Sequence, residues 1–314
     1  MDRLAWLRVI LAAFLITAWL GAPLARAEEA SPEADTGYAH PEWLADAAWL
    51  RDRLNDPILK IIALTPAGEF EAGHIPGAAQ IDWPALEIVE TGEPSVERWR
   101  SDVERLLTDL GVRRDQTVVV YDGGTLYAVR LWWILHQLGH ADVRILNGGL
   151  PAWVEAGGEL ATGSAEPDPA PEPYVGEPDE AAIATLAEVE AAIATLAEVE
   201  AALDDPDVVL VDARSPEEYA AGHIPGAINV EFARNAEADQ PRYWKSSAEL
   251  REMYASLGIT PEKRVIPYCT SGVRSAATYF TLRLIGYERV ELFTGSWQEW
   301  SSHPELPSRT GDAP

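Results

Sequence analysis

The sequence predicts two consecutive α/β domains, each a parallel sheet with helices on both faces, and three observations carry that prediction. One phrase occurs twice, as Phe70-Glu-Ala-Gly-His74-Ile-Pro-Gly-Ala78 and as Tyr219-Ala-Ala-Gly-His223-Ile-Pro-Gly-Ala227, 149 residues apart. Further on, Gly139, Gly148 and Trp153 are answered by Gly286, Gly295 and Trp300, now 147 residues apart. So small a change of spacing over such a length marks two homologous domains. Thirdly, short β-branched runs alternate with longer amphipathic stretches, the pattern of strands joined by helical crossovers. A length of 314 residues suits two domains, and a hydrophobic share of 47% with 24% charged residues supplies two cores.

Arg3 and Arg8 precede the apolar run Val9–Leu20, and Gly21, Pro23 and Ala25-Arg26-Ala27 follow it. A basic start, an apolar stretch shorter than the roughly 20 residues of a membrane span and a small-x-small end describe a secretory signal peptide over residues 1–27. Its removal would leave an exported protein without stable membrane insertion, expected in a bacterial periplasm. The first domain is expected over residues 41–162 and an extended linker over 163–185, because Gly163–Glu180 is rich in Pro, Glu and Ala. Ala181–Glu190 is then repeated verbatim as Ala191–Glu200. Ten residues turn a helix by about 1000°, leaving the second apolar stripe about 80° from the first. The first copy therefore extends the linker, and the second provides the opening helix of the next domain, 186–304, ending near Leu203. There the expected order is strand Val208–Val211, the His223 loop, helix Ala248–Leu257, strand Arg264–Tyr268, helix Ser275–Leu284 and strand Val290–Phe293. Pro267 removes a ladder N–H from an inner strand, so a bulge is expected there.

Lys plus Arg number 24 against 51 Asp plus Glu, and the net charge of −27 speaks against nucleic acid as a partner. The lone cysteine, Cys269, excludes an internal disulfide framework, a multi-cysteine metal site and a two-cysteine redox cycle. No cofactor and no metal is expected.

In parallel sheets ligands bind beyond the carboxyl ends of the strands, and Cys269 stands at such an end, between Tyr268 and a helix. A loop closing onto a helix N-terminus directs backbone N–H groups at its centre, and the helix dipole adds positive potential. A thiol in that cradle is favoured as thiolate, the nucleophilic form. Gly272 permits a turn that a Cβ would hinder, and Arg274 offers a charged fork for an oxyanion. A lone cysteine is more often a small buried hydrophobe; the strand end, the polar loop and the closing arginine favour a reactive one. A sulfur walled into hydrocarbon, with the loop amides turned elsewhere, would defeat that reading.

The two His-Ile-Pro-Gly segments, the loop Cys269-Thr270-Ser271-Gly272-Val273-Arg274 and Phe293-Thr-Gly-Ser-Trp297-Gln-Glu299-Trp300, in this order, resemble the tandem-domain rhodaneses, or sulfurtransferases, over Pro41–Pro304. The resemblance implies that Cys269 takes the outer sulfur of a small anionic donor as a persulfide. It then passes that sulfur to cyanide or a thiol, a protein dithiol among the acceptors that would fit. Thr270, Ser271, Gly272, Val273 and Arg274 would bind substrate, with Tyr127 from the other domain. Arg214, in Val211-Asp-Ala-Arg214, would clamp the anionic donor, the plainer alternative being a surface ion pair with a nearby Glu. Asp212 and His223 are expected to be structural supports, His74 likewise, and Trp297 and Trp300 to belong to the core. Rhodanese loops span six residues, as Cys269–Arg274 does, whereas the related phosphatases use one more. Ser271, Gly272 and Val273 resemble the mercaptopyruvate-specific loop and Arg274 does not. Arg214 and Arg274 suit a dianion, so thiosulfate is the expected donor, 3-mercaptopyruvate the alternative, and a non-catalytic rhodanese-like binding module the rival from another class.

At a spacing of 147 Cys269 falls on Asp122, which cannot form a persulfide; at 149, Asp212 and Arg214 fall on Ala63 and Thr65. The first domain is thus expected to be inactive and to wall the second domain's pocket. Leu126 and Tyr127 would line the cleft or simply pack at the interface.

Overall fold

The structure, a computed structural model, describes residues 37–88, 90–91, 95–164, 167–176, 195–203 and 205–313. The expected signal peptide, the end of the linker and the first decapeptide copy lie outside them.

In the first domain β1 (Leu44–Ala45), β2 (Leu59–Leu64), β3 (Ala78–Ile81), β4 (Thr117–Tyr121) and β5 (Asp142–Leu146) form one sheet. Its order is β1-β5-β4-β2-β3 and every pairing is parallel. Successive side chains serve opposite faces. Ile62, Leu64, Val118 and Val120 enter a core with α3 (Ser95–Asp109) and α4 (Val129–Gln137). Ile61, Ala63, Val119 and Tyr121 enter another with α1 (Ala47–Arg51), α2 (Ala67–Ala72) and α5 (Gly149–Glu155). Burial on both faces is why these strands read as unbroken apolar runs.

The second domain repeats the plan. β6 (Val208–Asp212) lies between β7 (Ile228–Asn229) and β8 (Arg264–Tyr268), again parallel. One face, with Val209, Val211 and Val265, packs with α8 (Ser247–Ser256) and α9 (Val273–Leu284). The other, with Leu210, Ile266 and Tyr268, packs with α6 (Leu196–Ala202), α7 (Pro216–Ala221) and α10 (Ser296–Ser302). Helix starts are encoded locally: Thr195, Ser215 and Ser246 each form a capping box with the Glu three residues on.

Two expectations are corrected at β8. Pro267 causes no bulge, since the register runs on through Leu210–Ile266, Val211–Pro267 and Asp212–Tyr268. Strand amides alternate sides: Arg264 N–H donates to Asp207 and Ala213 N–H to the Tyr268 carbonyl on the β6 side, while Val265 N–H donates to Arg289 on the other. Pro267 therefore lacks its N–H on the side away from β6, toward residues 289–293. That missing rung breaks the ladder, so Val290–Phe293 is no regular strand but runs beside β8 through an isolated bridge at Val265 and Val290. Helix α9 also starts at Val273, two residues before the expected Ser275.

The inner faces of the two domains share one continuous apolar cluster, joined where α4 crosses α9. Trp132 meets Phe280 edge-on at 4.7 Å, and Trp133 meets Tyr279 at 6.4 Å. These pairs exchange under the 147-residue spacing, so the copies face each other about a local two-fold. Among the described residues no helix is long and apolar enough to cross a membrane.

Candidate active site

β8 ends at Tyr268, whose hydroxyl accepts the Ile224 N–H at 3.1 Å and so ties the His223 loop to the strand; Tyr121 and Ile75 repeat the bond at 3.0 Å. Cys269 follows, 1% exposed and part of the shared apolar cluster. Its own N–H donates to Ser296 Oγ at 3.1 Å, and that hydroxyl donates to the Phe293 carbonyl at 2.8 Å. The Cys269 and Thr270 carbonyls accept N–H groups of Trp297 and Gln298, both at 3.0 Å. Ser296 has φ of 56°, a left-handed conformation costly for a residue with a Cβ, and its counterpart in the first domain is Gly149, at φ 60°. Gly272 caps α9 at φ 82°, where a Cβ would lie 2.7 Å from the Thr294 carbonyl. Residues 293–298 thus hold the cysteine loop from one side.

Among the described residues no protein acceptor takes the N–H of Thr270, Ser271, Gly272, Val273 or Arg274. Five amides at the start of a 12-residue helix are left for an anion. The first domain shows what such a loop does with one. The Asp122 carboxylate accepts the N–H groups of Gly124, Thr125 and Ala128 at 2.7, 2.9 and 2.8 Å. Its loop is also covered by the other domain, Gln240 donating to the Gly124 carbonyl at 3.3 Å.

At the loop's far end Arg274 donates from both terminal nitrogens to the Glu218 carboxylate, at 2.7 and 2.8 Å, and to Thr270 Oγ1 at 2.6 Å. The hydrogen bond from Arg274 is the main reason the Glu218 carboxyl is pushed down to about 2. Arg274 itself is raised, first by the same bond. Its charge is therefore real but already matched.

Arg214 requires a correction. It is 3% exposed, its Nε and Nη2 lie on the Asp212 carboxylate at 3.0 and 2.6 Å, and Nη2 also donates to the Gly222 carbonyl at 2.6 Å. Its guanidinium lies over the Trp297 ring at 4.9 Å. It is neither an open anion clamp nor a surface pair with Glu, but a buried brace between Asp212 and the loop that ends α7. Asp212 also accepts the Arg214 backbone N–H at 2.9 Å. His223 stacks on Tyr219 at 3.7 Å and donates from Nδ1 to its carbonyl; His74 stacks on Phe70 in the same way. Trp300 is 1% exposed and Trp297 partly buried.

Tyr127 brings the first domain to the site. Its ring lies 6.0 Å from Phe232 and 6.2 Å from Trp83, and burial raises its phenol, Arg274 and Cys269 both being within electrostatic reach. Leu126, beside it, is buried in the shared cluster. Glu218 and Ser296 escaped the sequence reading, although each left a trace: the Ser215-Pro-Glu-Glu218 capping box, and Gly149 at the matching position of the other copy.

The Rhodanese-like domain family matches this chain twice, over residues 46–156 and 195–303. The chain belongs to the rhodanese family. This rhodanese is 38% identical over 267 residues to a thiosulfate sulfurtransferase of Pseudomonas aeruginosa, covering 82% of this chain and 93% of the relative. It is 36% identical to the sulfur carrier protein TtuD of Thermus thermophilus, covering 88% and 99%. Among solved structures it is similar to the anaerobic ergothioneine biosynthesis enzyme of Chlorobium limicola in complex with trimethyl histidine, at a TM-score of 0.72 and 27% identity, covering 86% of this chain and 70% of that one.

Proposed function

We propose that this rhodanese moves a sulfane sulfur from thiosulfate to a thiophilic acceptor, cyanide or a thiol, through a persulfide on Cys269. The observation that carries the reading is the set of uncommitted amides from Thr270 to Arg274, on a loop whose counterpart already encloses an anion, Asp122. The thiolate attacks the outer sulfur of thiosulfate; a new S–S bond forms, the donor's S–S bond breaks, and sulfite leaves with the electron pair. The acceptor then attacks the outer persulfide sulfur and frees the Cys269 thiolate. The loop amides stabilise negative charge in both steps, and Arg274, fixed by Glu218 and Thr270, stands at the loop's end for the donor's oxygens. The relatives' names support thiosulfate over 3-mercaptopyruvate.

Incubation with thiosulfate should add the mass of one sulfur atom at Cys269, and Cys269→Ser should lose both that adduct and transfer to cyanide. If neither thiosulfate nor 3-mercaptopyruvate supports transfer that depends on Cys269, the proposal fails and the binding-module reading takes its place. The basic, apolar and small-x-small run of residues 1–27 supports export to a bacterial periplasm. Amino-terminal sequencing of protein from that fraction should then begin at Glu28, and recovery in the cytosol with Met1 retained would refute it.

A further inference from the structure

Each copy sends a segment across to the other, and the two contacts differ in kind. From the second domain, Gln240 donates to the Gly124 carbonyl, and Pro241 and Tyr243 press on Gly148. A Cβ at Gly148 would stand 3.1 Å from Pro241 Cβ and 2.9 Å from Tyr243 Cε1. From the first domain, Thr91 reaches Glu299 of α10. The Thr91 N–H donates to Glu299 Oε1 at 2.9 Å, and its hydroxyl donates to the same carboxylate, 2.8 Å from Oε2 and 3.1 Å from Oε1.

Both residues are buried, Thr91 3% and Glu299 6% exposed. Among the described residues no ion pair includes Glu299, and every hydrogen bond recorded for its carboxylate comes from Thr91. A carboxylate buried without a cation depends on such donors, and here the other domain supplies them. The carboxylate also lies flat against Gly295, where any Cβ would collide with Oε2. Gly295 leads directly into Ser296, whose left-handed backbone must be held by its surroundings and whose Oγ accepts the Cys269 N–H at 3.1 Å. The next two amides, of Trp297 and Gln298, hold the Cys269 and Thr270 carbonyls. Contacts therefore run without a gap from Thr91 through Glu299 and residues 295–298 to the cysteine loop. In the first copy Gly295 and Glu299 are answered by Gly148 and Ala152, so the carboxylate clasp exists only on the cysteine's side.

We propose that Thr91 is a positioning residue for Cys269: by clasping Glu299 from the domain without a cysteine, it fixes residues 295–298 and with them the cysteine loop. The inference rests on Cys269 being the reacting thiol, but not on the identity of the donor.

Thr91→Val keeps the shape and the backbone N–H and removes only the hydroxyl. In the full chain it should speed hydrogen exchange of the Trp297 and Gln298 amides about tenfold, the loss expected for one hydrogen bond to a charged group. It should lower kcat for transfer to cyanide by a similar factor and leave KM for thiosulfate unchanged. Thr91→Ser, which restores the hydroxyl, should return both exchange and kcat towards wild type. A folded Thr91→Val protein, checked by circular dichroism, overturns the proposal if either its exchange at 297–298 or its kcat matches wild type. A lower melting temperature does not rescue it, because a merely structural contact would cause that alone. If Thr91→Val does not fold, Glu299→Gln decides: faster exchange at 297–298 supports the proposal and wild-type exchange refutes it. Should wild type itself fail to transfer sulfur from thiosulfate, the donor reading falls and the exchange rates alone decide the clasp.

Discussion

Asp122 and Cys269 occupy the same position in the two copies, and the aspartate's carboxylate is clasped by three amides of its loop while the cysteine's loop keeps its amides uncommitted. The copy without a cysteine encloses its own carboxylate, whereas the cysteine loop leaves its amides open to an anion from outside.

Asp122→Ala should therefore destabilise the protein by about 2–3 kcal/mol, since three N–H groups lose a charged acceptor in a buried loop. Urea denaturation measures the loss, and transfer per folded molecule should stay unchanged. A drop in that specific activity would mean that the aspartate loop serves the reaction.

Gly272→Ala should cost about 1–3 kcal/mol and sharply reduce kcat, because a residue with a Cβ must adopt a left-handed φ and press on the Thr294 carbonyl. Persulfide yield measured beside thermal melting checks both parts. Full activity in this variant would mean that the loop is not held by residues 293–298.

Glu218 makes acid stability depend on Arg274. Its folded-state carboxyl lies below the ordinary 4.5, at about 2, so the pair contributes fully above 4.5 and is lost as pH falls through about 2. The melting-temperature gap between wild type and Glu218→Gln should narrow over that window, and a gap independent of pH would sink the assignment.

His136 acts in the same direction at higher pH. Packed between Trp43 and Trp132, it is lowered from 6.5 to about 4, chiefly by burial and then by Arg283 and His40. The unfolded chain takes up the proton first, so stability declines as pH drops from 6.5 towards 4 and levels off below. His136→Phe should flatten that decline in a melting series, and an unaltered slope would show that another group causes it.

The fold was legible because duplication writes it twice, and because apolar runs such as Val118–Val120 and Val208–Val211 need burial on both faces. Pro267 misled only about which side of β8 it faces: a sequence places a missing N–H on a strand but not the neighbour it turns to. In the site, the cysteine loop could be read from its order of residues. Arg214 could not be resolved, since an arginine two residues from an aspartate looks the same whether it reaches out to substrate or folds back onto its neighbour.

That crossing of Trp132 over Phe280 makes the duplication irreversible. A chain truncated to the cysteine-bearing copy would bare the aromatic flank of α9 to water and lose Tyr127. Neither copy keeps a closed interior without its twin.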